Sequence, residues 1–176
     1  MRRRWMWVSL CMFLLCVSLP AQTAKSPDPW SRFDFLLGEW EGVGSGGVVG
    51  EGTGGTSFAY KLEKNILARK NWAKYPPRPG EKTGTSHEDL MIIYTSPGEP
   101  SFRAIYFDNE GHVINYLVSF PVKTGAVNFE TDSNQKGPRY RLEYEVNPDK
   151  SMRVDFLMAP PGGDFKLYAH GLLKKK

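Results

Sequence analysis

Three histidines, His87, His112 and His170, are the chain's most versatile acid–base and metal-binding groups. His87 opens the run His87-Glu88-Asp89. Adjacent residues on a strand point to opposite faces, so His87 and Asp89 converge while Glu88 turns away. One converging pair falls short of the three or four protein ligands of a zinc site, so no metal is assigned. His112 follows the turn signal Asp108-Asn109-Glu110-Gly111, where it caps a hairpin or reaches a barrel mouth. His87 and His112 are the two groups placed for general acid–base work. H-E-x-x-H is absent, and neither Ser57 nor Ser86 lies in G-x-S-x-G. The glycine-rich stretch from Gly42 to Gly55 lacks G-K-[ST] and a strand–helix setting. No catalytic residue is therefore assigned.

A second set of residues suits binding rather than catalysis. Asn115 lies in Val113-Ile114-Asn115-Tyr116-Leu117 and shares strand parity with Val113 and Leu117, which predicts an inward amide in need of partners. Arg103, between Phe102 and Ala104, is a second inward polar candidate, and Arg69-Lys70-Asn71 supplies a third. An inward arginine would suit a carboxylate headgroup; the same residues also suit an outer, solvated face. Tyr140 and Phe156 fall on apolar parities of their runs and are assigned to the lining of a ligand site, together with Arg103, Asn115, Tyr168 and His170.

These groups sit on strands. After Glu39 the chain shows no long helical periodicity, only short β-rich runs split by turn signals. Ten runs are predicted: Gly38–Val43, Thr53–Leu62, Ile66–Ala73, Glu88–Thr95, Phe102–Phe107, His112–Phe120, Ala126–Thr131, Arg139–Asn147, Met152–Met158 and Phe165–Leu173. Tyr140, Leu142, Tyr144 and Val146 alternate with Arg141, Glu143 and Glu145, one dry wall against one wet wall. Sequential hairpins with one apolar side bury it by curling shut, which also removes exposed edges. The expected fold is all-β, a closed antiparallel up-and-down barrel of about ten strands, with two packed sheets as the alternative. Ahead of it, Trp30 to Leu37 reads as a helical turn whose Trp30, Phe33, Phe35 and Leu37 plug one end. An outer-membrane barrel is disfavoured, because most runs are short and the outer faces carry full charges.

The N-terminus reads as an export signal: Arg2, Arg3 and Arg4, then an apolar run from Trp5 to Leu19, then Pro20 to Ala24. Residues 1–24 are assigned to it, with cleavage near Ala21 or Ala24, and residues 25–176 to one domain. Both cysteines, Cys11 and Cys16, fall in the signal. A chain cut after Ala24 would carry neither disulfide nor thiolate. Losing three arginines takes 23 basic residues to 20 against 19 acidic, so the high isoelectric point is no argument for nucleic-acid binding. The expected location is periplasmic or extracellular, with no integral membrane insertion after the signal is removed.

The stretch Phe33-Asp34-Phe35-Leu36-Leu37-Gly38-Glu39-Trp40-Glu41-Gly42-Val43-Gly44 contains G-x-W-x-G-x-G. It resembles the opening of nitrobindin-like haem-binding β-barrels, within the calycin group of lipocalins and fatty-acid-binding proteins. The resemblance implies a ten-stranded barrel, with Gly38, Trp40 and Gly42 as structural closure. It also implies a haem-ligating His on the last strand, in a segment of the form H-L-x-x-x-x-K/R-K/R. Here Tyr168-Ala169-His170-Gly171-Leu172-Leu173-Lys174-Lys175 places Tyr168 at that position, with His170 two residues on. Either a register change makes His170 the ligand, or Tyr168 takes its place.

The expected function is an exported, non-enzymatic barrel holding a small hydrophobic or amphipathic molecule. The alternatives are a haem barrel with gas-handling or peroxide chemistry through Tyr168 or His170, and a lipocalin-like enzyme using His87 or His112.

Overall fold

The structure is a computed structural model that describes residues 28–48, 50–99, 101–122, 126–134 and 136–176. The signal expected over residues 1–24, with Cys11 and Cys16, lies outside the described residues. The strands are β1 (Gly38–Gly47), β2 (Thr53–Lys61), β3 (Ile66–Tyr75), β4 (Thr85–Thr95), β5 (Phe102–Asp108), β6 (Val113–Ser119), β7 (Val127–Glu130), β8 (Arg139–Val146), β9 (Met152–Ala159) and β10 (Lys166–Lys175). Each pairs antiparallel with its sequence neighbour, and β10 pairs with β1 to close the ring. The closure excludes two separate packed sheets. No helix among the described residues is long and apolar enough to cross a membrane.

Alternation dictates the inside. On β8, Leu142 and Tyr144 are buried in the core while the outward residues form ion pairs, Arg141 with Glu130 and Glu143, and Glu145 with Arg153. Several strands run further than the local pattern predicts. β1 continues past Val43 to Gly47 because Ser45, Gly46 and Gly47 pair with Gly171, His170 and Ala169. β3 and β4 extend each other to the pair Tyr75 and Thr85. In both cases the partner strand, not local propensity, sets the end.

The N-terminal plug is a 3-10 helix, Pro29–Leu36, capped by Asp28, whose side chain accepts from the Trp30 amide at 3.0 Å. Three residues per turn stack Trp30, Phe33 and Leu36 on one face. Phe33 and Leu36 are therefore the fully buried pair, and Leu37, expected in the plug, is only partly buried. Phe33 meets Phe102 and Phe120 edge-on at 4.8 and 4.9 Å. Trp40 donates its indole N–H to the Leu36 carbonyl at 2.8 Å, tying plug to barrel. Gly38 makes the sharp exit into β1 with φ of +103°, a conformation that disfavours side chains.

Candidate functional site

The half of the barrel beyond the plug encloses a cavity of about 450 Å³. Its space comes from missing side chains. Gly42, Gly54, Ala73, Ala169 and Gly171 line one side, and β1 and β2 run so close that a Cβ on Gly42 would lie 3.0 Å from the Gly54 carbonyl. Across the strand order, β5 and β6 contribute Tyr106, Ile114 and Tyr116. The result is a slot between a bare backbone wall and an aromatic one, closed at the plug and open at the opposite end.

An ion pair forms the floor. Arg69 of β3 and Asp89 of β4 break the apolar parity of their strands, sharing it with Leu67 and with Met91 and Ile93 respectively. Their side chains are 5% and 2% exposed, with Arg69 Nη1 donating to Asp89 Oδ1 at 2.6 Å. Asn71 Nδ2 donates to Asp89 Oδ2 at 2.9 Å. Burial alone would lower the Arg69 pKa, but the Asp89 charge and surrounding tyrosines hold it above its ordinary value.

Above the floor, His87 Nε2 lies 3.3 Å from Asp89 Oδ2 and 3.1 Å from the Tyr106 hydroxyl, and its Nδ1 lies 3.1 Å from Glu110 Oε1. The hydrogen bond to Asp89 outweighs burial, and Glu110 adds to it, so the His87 pKa rises to about 9. Tyr106 also donates to Asp108 Oδ2 at 3.2 Å. Burial drives the hydroxyls of Tyr106, Tyr116 and Tyr144 well above the usual tyrosine value, so all three stay neutral. The Tyr116 and Tyr144 hydroxyls and Arg69 Nε are buried with no hydrogen-bond partner among the described residues. All three residues line the cavity.

The residues expected at the site divide cleanly. Tyr140 and Phe156 line the cavity, stacked at 5.9 Å with planes 8° apart, and Tyr168 stands edge-on to Phe156 at 6.0 Å at the mouth. Arg103 and Asn115 are corrections. Arg103 is on the outer face, 3.3 Å from Glu99. Asn115 is exposed, because the inner parity of β6 belongs to Ile114, Tyr116 and Val118. Val113 and Leu117, apolar yet 58% and 43% exposed, suggested the opposite parity. His170 borders the cavity as expected, but its ring is engaged by Asp155. A bulge between Leu167 and Ala169 absorbs Tyr168, so Tyr168 and His170 do not share a face. His170 pairs with Asp155 on the outer wall, Nδ1 to Oδ1 at 2.5 Å. Trp40 is buried and ties the plug to the barrel, Gly38 makes the exit into β1, and Gly42 pairs with Leu173 of β10 across the closing seam.

What the sequence reading underweighted is the floor. Arg69 was weighed only as one polar group among three, and Asp89 only as a partner for His87. The signal was present: two opposite charges, each alone on an apolar parity, on consecutive strands. Pairing Arg69 to Met91 and Asn71 to Asp89 brings them together.

No protein-family model matches the chain, and no curated protein matches it. Among solved structures, the crystal structure of Rv2717c from M. tuberculosis is similar, with a TM-score of 0.59 over 84% of this chain and 97% of that one. The fold they share is a closed antiparallel β-barrel. At 14% identity the likeness is one of fold alone.

Proposed function

We propose that this chain is an exported, non-enzymatic binding barrel for a small amphipathic molecule. The apolar body of the guest lies between the glycine wall and the Tyr140–Phe156 stack. Its polar end, a carboxylate or similar acceptor, lies at the floor. The observation that carries this reading is an apolar-lined cavity bordered by Arg69, Tyr116 and Tyr144, whose Nε and two hydroxyls lie just beneath its surface and make no hydrogen bond of good geometry among the described residues. An unpaired buried donor is destabilising by about 1–3 kcal/mol, so such groups collect where something else completes them. A guest acceptor meets them once these side chains turn toward the cavity, and then gains charge-assisted hydrogen bonds in a low-dielectric site. The apolar lining provides affinity and these donors provide orientation. The Arg2–Arg4 and Trp5–Leu19 pattern supports export.

The test is binding of a fluorescent fatty-acid probe, set against the same tail ending in a hydroxyl, with native mass spectrometry of the protein from its own host. The expected result is saturable one-to-one binding, with the carboxylate form preferred. Tyr116→Phe combined with Tyr144→Phe should weaken the carboxylate probe about tenfold or more and the alcohol far less. No saturable binding of either probe, or equal loss for both, overturns the reading.

A further inference from the structure

We propose that the barrel mouth is a binding site for a first-row divalent transition cation, with His87 Nδ1, Asp108, Glu110 and His112 as its protein ligands. This goes beyond the guest proposed above and does not depend on it.

Three donors meet there from two elements, and a fourth, His112, stands beside two of them. One donor atom each from His87, Asp108 and Glu110 lies within 4.8 Å of the others. His112 Nδ1 lies 2.9 Å from Asp108 Oδ2 and 4.0 Å from Glu110 Oε2. Tetrahedral zinc, with bonds of about 2.0–2.2 Å, holds its ligand atoms roughly 3.4 Å apart. Small rotations of Glu110 and His112, both on the exposed hairpin tip, span the difference.

The ligands are positioned from behind. Asp108 Oδ1 accepts from the backbone N–H groups of Glu110 at 3.0 Å and His112 at 2.9 Å. That leaves Oδ2 turned toward the His112 ring. Gly111, with φ of +91°, makes the turn that returns His112 over Asp108. The hairpin is bolted to β4 by reciprocal bonds: Asn109 N–H to the Glu88 carbonyl at 3.0 Å, and Glu88 N–H to Asn109 Oδ1 at 2.9 Å. His87 has the arrangement seen in metal-ligating imidazoles. One ring nitrogen, Nε2, is engaged by a buried carboxylate and a tyrosine hydroxyl, which orients the other toward the site. Asp89 thus serves both Arg69 and His87 and joins the mouth to the floor.

Two imidazoles with two carboxylates suit zinc, cobalt, nickel or manganese rather than calcium or magnesium, which favour all-oxygen cages. All four residues border the cavity, so an open coordination position would face the guest.

The test uses the full chain without an affinity tag, in a Cys11→Ser, Cys16→Ser background, stripped with chelator. Cobalt(II) is titrated in and followed by its visible ligand-field bands, then displaced with zinc(II). The expected result is one equivalent bound, with bands typical of low coordination number. His87→Ala, Glu110→Gln and His112→Ala should each weaken binding at least tenfold, and Tyr106→Phe about tenfold through His87. Glu110→Gln and His112→Ala alter exposed side chains and leave folding intact, which circular dichroism verifies. Absence of saturable binding near one equivalent overturns the proposal. So does unchanged affinity in both of these exposed-site variants.

Discussion

Replacing Arg69 by Met tests whether the floor is a coupled electrostatic unit. The substitution keeps much of the volume and removes the charge, leaving Asp89, 2% exposed, without its main partner. Breaking a buried pair from one side is destabilising by about 3–5 kcal/mol, because a charge stays buried uncompensated. Here the loss should sit at the lower end near neutral pH. Asn71 still donates to Asp89, and His87, with a pKa raised to about 9, is still cationic 3.3 Å away. His87 gains its proton affinity on folding, so its stabilisation is complete below its ordinary value near 6.5 and is lost as pH rises through about 9. Removing the Arg69 cation raises the folded pKa of His87 further, so the variant draws more stability from this proton at neutral pH than the parent does and has more to lose as pH rises. The destabilisation by Arg69→Met should therefore grow from about 3 kcal/mol at pH 7 to about 4 kcal/mol at pH 10. Urea unfolding in chelator, followed by tryptophan fluorescence at both pH values, measures it. Adding Asp89→Leu should recover most of the loss, since the orphaned charge is then gone. A single-variant loss under about 1 kcal/mol, or one that shrinks with pH, would refute the coupling.

Other outcomes follow from the same geometry. Tyr144→Phe removes a fully buried hydroxyl that lies beside Thr56 and Arg69 but makes no hydrogen bond of good geometry, so the stability of the guest-free protein should change by less than about 1 kcal/mol in urea unfolding. Phe33→Ala should destabilise by about 3–5 kcal/mol by hollowing the plug against Phe102 and Phe120, read as a lower thermal midpoint. Gly42→Ala drives a methyl to 3.0 Å from the Gly54 carbonyl, a backbone atom that yields only if β1 and β2 separate; a loss of about 1–3 kcal/mol is expected in the same assay. His170→Ala should leave binding of the fatty-acid probe unchanged, because the ring belongs to the outer wall with Asp155.

The barrel was legible because its information is local. Alternating runs such as Tyr140 to Val146, bounded by turns such as Asp108 to Gly111, specify strands and hairpins within a few residues. Ten such runs with one dry side leave few ways to hide it other than closure. The plug was legible as apolar residues, but its period was not: Leu36 rather than Leu37 is buried because the turn is 3-10. The parity of β6 was misread because Val113 and Leu117 are apolar on the solvent side, so composition did not distinguish its faces.

The site is another matter. Strand periodicity by itself determined that Arg69 and Asp89 each stand among apolar neighbours, and that His87 shares a face with Asp89. Only the tertiary structure decided that the two charges meet, through the register of β3 on β4, and that the hairpin tip brings Glu110 to His87 and His112 to Asp108. It alone decided that one bulged residue turns His170 away from Tyr168. Side-chain direction along a strand is a local property with period two. A bulge, or the register against a neighbouring strand, depends on contacts many residues away, and a single residue of slip reverses every face that follows.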